Sequence, residues 1–182
     1  MSKNKKTTKR MKAKVFLRLV ISFTVLGLFL RFFVFLPTEV NGISMTPTLE
    51  EGDQLLVNTF GEIERFDVIV FTDQGDRPII KRVIGLPGDT LYYYDDKLFV
   101  NGQAIEEPFV KRDKHTSGLS TSNFTLDQVT DEVVIPKGQY FVLGDNRRFS
   151  FDSRHYGNID EASIIGRVKI IYHPLDRLTI LE

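Results

Sequence analysis

A mainly β domain of antiparallel sheet, carried behind one N-terminal transmembrane helix, is the fold class this sequence predicts, on three observations. A basic run is followed at once by an apolar one. The remainder consists of short runs rich in Val, Ile, Tyr and Phe between turn residues, and no stretch of eleven or more residues keeps helical spacing. Of the 182 residues, the roughly 145 beyond the apolar run can bury one proper core but hardly two.

The first element is the anchor. Residues 1–36 hold nine Lys/Arg and no acid, while residues 37–182 hold fifteen basic and twenty-four acidic side chains, so the zero net charge averages two opposite segments. Seven of the nine bases (Lys3, Lys5, Lys6, Lys9, Arg10, Lys12 and Lys14) crowd into positions 1–14, a pattern that suits either nucleic acid or the cytoplasmic flank of a membrane segment. Val15 to Leu36 decides between them: 22 mostly apolar residues make a helix of about 33 Å, close to the hydrocarbon thickness. Arg18 and Arg31 leave only twelve uncharged residues between them, which hydropathy alone would also allow for a leader core or an interfacial helix. Both lie near the ends, where snorkelling to the headgroups is cheap. The exit Phe35-Leu36-Pro37-Thr38-Glu39 lacks the small residues of a leader cleavage site. The expected organisation is a basic cytoplasmic tail at 1–14, an uncleaved single-pass anchor at 15–36 and an extracytoplasmic β domain at 37–182, with the lipid bilayer as a partner and no nucleic acid.

Strands are expected at Gln54–Asn58, Asp67–Thr72, Pro78–Ile84, Thr90–Tyr94, Lys97–Val100, Glu132–Ile135, Gln139–Leu143 and Gly166–Tyr172. Turn clusters such as Glu51-Gly52-Asp53, Pro87-Gly88-Asp89, Asp95-Asp96, Asn101-Gly102 and Pro136-Lys137-Gly138 separate them. Lys111 to Thr130 is polar and aperiodic, and reads as a long surface excursion or partly disordered loop.

Chemistry is suggested by three blocks. Ser44, in Gly42-Ile43-Ser44-Met45-Thr46-Pro47-Thr48, stands eight residues beyond Leu36. A serine near a Pro-Thr turn usually does no more than bond the local backbone. Gly42 permits close approach and Thr46-Pro47-Thr48 turns the chain, leaving the hydroxyl at a bend where a bound peptide could meet it. Lys81 continues the apolar run Ile79-Ile80 and precedes Val83-Ile84, so it is either an edge-strand lysine that discourages aggregation or a buried amine whose lowered pKa suits a general base. The third block, Gly144-Asp145-Asn146-Arg147-Arg148-Phe149-Ser150-Phe151-Asp152-Ser153-Arg154, follows an expected strand and reads as a solvated turn or as a support for the base. Of the three histidines, His155 with Asp152 could complete a Ser-His-Asp set, although a surface role suits each better. There is no cysteine, so thiol chemistry and disulfides are excluded, and no His/Asp/Glu cluster at ligand spacing calls for a metal or cofactor.

Together the three blocks resemble the bacterial type I signal peptidases, membrane-anchored Ser/Lys proteases of the S26 family with a signal-peptidase/LexA-like fold. Ser44-Met45-x-Pro47-Thr48 is similar to the nucleophile box, Lys81-Arg82-Val83-x-Gly85-x-Pro87-Gly88-Asp89 to the base box, and the third block to the C-terminal box. Arg65-Phe66-Asp67-Val68-Ile69-Val70-Phe71 is similar to the strand box between them, with Phe66 where the family has glycine. The resemblance implies a serine endopeptidase cleaving signal peptides from exported preproteins. Ser44 is then the nucleophile and, through its backbone N–H, an oxyanion donor; Lys81 is the base; Ser150 orients the lysine. Thr38, Val40, Met45, Leu49, Ile79 and Ile80 would line shallow pockets for small side chains one and three residues before the cut. The peptide would add a strand beside Pro78 to Ile80 and Asn41 to Gly42. Arg82, Asp152 and Arg154 would be structural ion partners. Gly42 stands where some members carry a serine hydroxyl for the oxyanion, and Arg148-Phe149 replace a commoner acidic or amide pair. Two alternatives remain open: a non-catalytic, membrane-anchored assembly or chaperone module on the same fold, and a Ser/Lys self-cleaving repressor, against which the anchor and the lack of a DNA-binding helix pair both count.

Overall fold

The computed structural model describes residues 12, 14–27, 35–73, 75–110 and 118–181. The chain divides into two compact units, Met1–Leu36 and Pro37–Glu182. In the first, residues 14–27 form helix α1, on which Phe16, Leu17 and Phe23 are exposed. Among the described residues no helix is long and apolar enough to cross a membrane. The anchor expected over 15–36 includes 28–34, and the basic tail includes 1–11 and 13, all outside the described residues.

The second unit is built from two sheets. The larger runs in the order β1 (Phe35–Glu39), β2 (Gln54–Asn58), β11 (Ile164–His173), β3 (Val68–Thr72), β4 (Pro78–Gly85), β9 (Gln139–Leu143) and β10 (Ile159–Asp160), with β12 (Thr179–Ile180) also on β11. The smaller runs β7 (Gln103–Ile105), β6 (Lys97–Val100), β5 (Leu91–Tyr94) and β8 (Phe124–Thr125). The pairings among β2 to β12 are antiparallel.

Alternation along the strands sorts side chains into separate cores. On β3, Val68 and Val70 face a core with Leu55, Val57 and Val168, while Ile69 and Phe71 face another with Val83, Val142 and Ile159. Both faces of the strand are therefore covered, which is why it reads as an unbroken apolar run. A third core, with Leu91, Tyr93, Leu98, Phe141 and Leu143, joins the small sheet to the large one. The hairpins of the small sheet turn at Asp95-Asp96, with φ of 51° and 59°, and at Asn101-Gly102, with φ of 51° and 79°. Such left-handed pairs make the tight turns whose twist matches the flanking strands.

Two expectations need correction. Glu132–Ile135 forms no strand; Ile135 alone is buried and exchanges single backbone bonds with Gly88 and Asp89, while Val133 and Val134 are exposed. The excursion at 111–130 is packed over its described part, 118–130: β8 pairs with β5, a short helix α2 follows at Leu126–Thr130, and Phe124 and Leu126 enter the third core. Residues 111–117 of that excursion lie outside the described residues.

Candidate active site

Ser44 lies in the turn between β1 and β2. Gly42, at φ 89°, bends the chain before it, and residues 43–49 coil so that Thr46 N donates to Ile43 O at 3.2 Å and Leu49 N to Met45 O at 3.0 Å. Met45 and Leu49 are fully buried in the first core and pin the turn there. The Ser44 N–H donates to no backbone carbonyl among the described residues.

Lys81 comes from the middle of β4. Strand alternation turns Ile80 toward the first core and Ile79, Lys81 and Val83 toward the opposite face. Only 5% of Lys81 is exposed; its Nζ donates to Ser44 Oγ at 2.7 Å and to Ile80 O at 3.0 Å. Burial pushes the amine down from 10.5 to about 8, and the Asp152 and Asp145 carboxylates pull the other way without reversing it.

The chain leaving β9 supplies the third wall. Asn146 N donates to Ser44 O at 3.0 Å, and its side-chain amide donates to Ile43 O at 3.1 Å and to Thr46 Oγ1 at 3.0 Å. Gly144 makes this approach possible: a Cβ there would lie 2.2 Å from Ser150 Oγ and 2.5 Å from Ser44 O. Such contacts are far inside van der Waals distance, so no larger residue fits without moving the Ser44 turn.

Two buried ion pairs brace the walls. Asp145 accepts from Arg82 Nε at 2.8 Å and Nη2 at 2.7 Å, and from Thr48 Oγ1 at 2.5 Å, tying β4 to the Ser44 turn. The same guanidinium donates to Phe66 O at 2.7 Å and lies 4.0 Å from the Phe109 ring centroid. Asp152 caps the short helix α3 (Ser153–Tyr156), accepts from Arg154 Nε and Nη2 at 2.8 Å each, and accepts from Gly144 N at 3.0 Å. Burial alone would raise the Asp152 carboxyl, but the Arg154 fork and the Gly144 N–H outweigh it and hold the group below the ordinary carboxylate value. Arg82, Asp152 and Arg154 thus belong to two separate pairs, with Asp145 as the partner of Arg82. The sequence singles out neither Asp145 nor Asn146 within their block, because two acids and three arginines within residues 145–154 do not reveal who pairs with whom, and the partner of Asp145 lies on another strand.

The remaining expected residues fall as follows. Ser150 Oγ is buried and does not reach Lys81, whose amine donates to Ser44 Oγ and Ile80 O; its hydroxyl instead helps hold the Asp152 carboxyl down. Val40, Met45, Leu49 and Ile80 are members of the first core, Thr38 is half-buried, and Ile79 packs against the core on the other face. His155 Nδ1 is 4.0 Å from Asp152 Oδ1 and its ring stacks on Phe151, with no bond to Ser44. His115 lies outside the described residues, and His173 is exposed at the end of β11. Among the described residues no group of three or more His, Cys, Asp or Glu could hold a metal ion.

The edge of β4 beside this site is open. Pairing with β9 begins at Arg82, opposite Leu143, so among the described residues β3 is the one strand paired with Pro78 to Lys81. An unpaired edge is a template for an extended peptide.

Residues 13–173 match the family described as "Signal peptidase, peptidase S26". The chain is 48% identical over 157 residues to signal peptidase I V of Bacillus subtilis (strain 168), covering 83% of this chain and 93% of that protein. It is 39% identical over 166 residues to signal peptidase IB of Staphylococcus aureus (strain Mu50 / ATCC 700699), with 86% of each covered. The crystal structure of a signal peptidase I from Enterococcus faecalis V583 superposes with a TM-score of 0.56 at 40% identity, covering 59% of this chain and 97% of that one. With most of its length matched and the same mainly antiparallel scaffold, the chain belongs to the S26 family of signal peptidases.

Proposed function

We propose that this protein is a membrane-anchored serine endopeptidase that removes signal peptides from exported preproteins, with Ser44 as nucleophile and Lys81 as general base. The observation that carries the reading is the 2.7 Å contact between Ser44 Oγ and a buried Lys81 amine whose pKa lies near 8. Once neutral, Nζ accepts the hydroxyl proton as Oγ attacks the scissile carbonyl carbon. The free Ser44 N–H stabilises the resulting oxyanion. The protonated amine then donates to the departing backbone nitrogen, leaving an acyl-enzyme. A water deprotonated by the same amine hydrolyses that ester and restores Ser44.

Ser150 is assigned the orienting role because its buried hydroxyl lies against Gly144 at the Ser44 turn and beside Asp152, whose carboxylate also acts on the Lys81 amine. The pockets for the residues one and three before the cut are shallow because their walls, Met45, Leu49 and Ile80, are themselves packed core side chains. Thr38 and Val40 are assigned to the same walls, and Ile79 to the other face of β4. The apolar run 15–36, with its basic flank, is assigned to the membrane, holding residues 37–182 on the outer face.

The purified full chain, mixed with a preprotein bearing an Ala-x-Ala site, is expected to release the leader peptide. Ser44→Ala and Lys81→Ala are each expected to reduce cleavage by at least about a thousandfold. Cleavage persisting in either variant rejects the dyad. A module that only binds exported chains has no use for a buried amine on a serine hydroxyl.

A further inference from the structure

The loop that carries Ser44 is closed at its base. Val40 N donates to Asp53 O at 2.9 Å and Gly52 N to Val40 O at 3.0 Å, so the two ends are stapled side by side with Ser44 in the span between them. The Asp53 carboxylate completes the closure: only 1% of the residue is exposed, and it accepts from Glu50 N at 2.8 Å. Its counter-charge comes from beyond β11. There the chain makes a helical turn at Leu175–Arg177 and returns as β12 along β11, with Leu181 packed on the first core. From that turn Arg177 reaches back to the loop. Its Nε donates to Asp53 Oδ1 at 2.8 Å and its Nη2 to Asp53 Oδ2 at 2.9 Å and to Thr48 O at 3.4 Å, while Nη1 lies 2.8 Å from Glu50 Oε1. Among the described residues no other cation pairs with Asp53. Leu175 and Leu178 beside it are exposed, so the turn meets the loop through Arg177 rather than through apolar packing.

Building on the proposed proteolysis, we infer that Arg177 is a positioning residue for the nucleophile, a C-terminal clamp that fixes the Ser44 loop so that Oγ stays on the Lys81 amine. Thr48 shows how the clamp acts. Its Oγ1 donates to Asp145, the partner of Arg82 on β4, and its carbonyl accepts from Arg177. One side of the residue is tied to the strand that carries Lys81, the other to the C-terminal turn. Without Arg177, Asp145 and Asn146 still hold the tip of the loop, but its base around Asp53 is released. A displacement of about 1 Å at a reacting atom costs about a hundredfold in rate. The task also explains the residue type. A guanidinium meets both carboxylate oxygens with a rigid fork and still donates to a carbonyl, whereas an ammonium supplies the charge without that geometry.

The test uses the full-length chain in lipid vesicles and a fluorophore–quencher peptide with alanine one and three residues before the cut. Arg177→Lys keeps a positive charge beside Asp53 and loses the fork. Its urea midpoint is expected to stay near that of the wild type while kcat falls roughly tenfold and KM stays within about twofold. Arg177→Met strands the buried Asp53 carboxylate and loses stability as well as rate. Adding Asp53→Asn to Arg177→Met removes the stranded charge, and this double variant is expected to regain most of the urea midpoint and none of the kcat. Leu175→Ala, in the same turn, is expected to change neither. A wild-type kcat in Arg177→Lys, or a kcat that recovers with the midpoint in the double variant, overturns the assignment and leaves the proteolysis standing. A wild type that cleaves neither the peptide nor a preprotein overturns both.

Discussion

Lys81 sets the electrostatic character of the site. Its pKa of about 8 in the folded protein lies below the unfolded value of 10.5, so between those limits the unfolded chain binds more protons and stability rises with pH. Below pH 8 the full cost of charging the buried amine, about 3 kcal/mol, is present. Lys81→Met is therefore expected to raise urea-unfolding stability by up to about 3 kcal/mol at pH 7, the gain vanishing above pH 10.5, while cleavage is lost. By the same argument kcat/KM should climb through a pKa near 8 as the amine becomes neutral, and a profile flat from pH 6 to 9 would contradict Lys81 as base. Phe66 offers a second test, because its φ of 73° is a conformation that costs a bulky residue about 1–2 kcal/mol. Its ring stays there for an edge contact with Phe109, centroids 5.1 Å apart, beneath the Arg82 guanidinium. Phe66→Ala loses the ring and keeps the backbone cost, so Phe66→Gly should be the less destabilising change by about 1 kcal/mol in urea midpoints.

Three segments, β4, the Ser44 turn and the chain after β9, must meet within a fraction of an ångström for the hydroxyl to reach the amine. Gly144 and the Arg82–Asp145 pair are what hold them together. Gly144→Ala pushes a Cβ against Ser44 O, and displacements of this kind cost about a hundredfold in rate. Circular dichroism should show the variant folded, with the loss confined to kcat. Asp145→Ala strands a buried guanidinium and is expected to destabilise by about 3–5 kcal/mol in denaturant titrations. The major strands were legible in the sequence because Val, Ile and Phe cluster between turn residues at β2, β3, β4, β5, β6, β9 and β11. The short elements β7, β8, β10, β12 and α2 were not, since two to five residues carry no period to read and owe their form to neighbours already in place. Glu132–Ile135 failed for the converse reason: its composition suits a strand, yet only Ile135 finds a core to enter.

Across the second unit, the small sheet and the loop after β9 share one buried cluster. Arg147, in the loop beside Asn146, pairs with Glu107 and donates to Tyr93 Oη at 3.0 Å, Thr121 Oγ1 at 3.2 Å and Gly144 O at 3.1 Å. Burial would lower the guanidinium, but Tyr93 and Glu107 outweigh it and keep Arg147 charged. Glu107→Ala should therefore destabilise by about 3–5 kcal/mol and, through Gly144, increase hydrogen exchange at the amides of 144–150, far from the substituted position in sequence. Composition and pattern were enough to determine an apolar segment behind a basic flank, an antiparallel β domain without cysteine, and the three blocks holding Ser44, Lys81 and Ser150, because these depend on residue type and spacing along one strand or turn. The pairing of Arg82 with Asp145, 63 positions apart, the burial of the Lys81 amine on Ser44, 37 apart, and the open edge of β4 arose only when distant segments packed together. Those contacts depend on side-chain volume and strand register in three dimensions, and no local pattern encodes them.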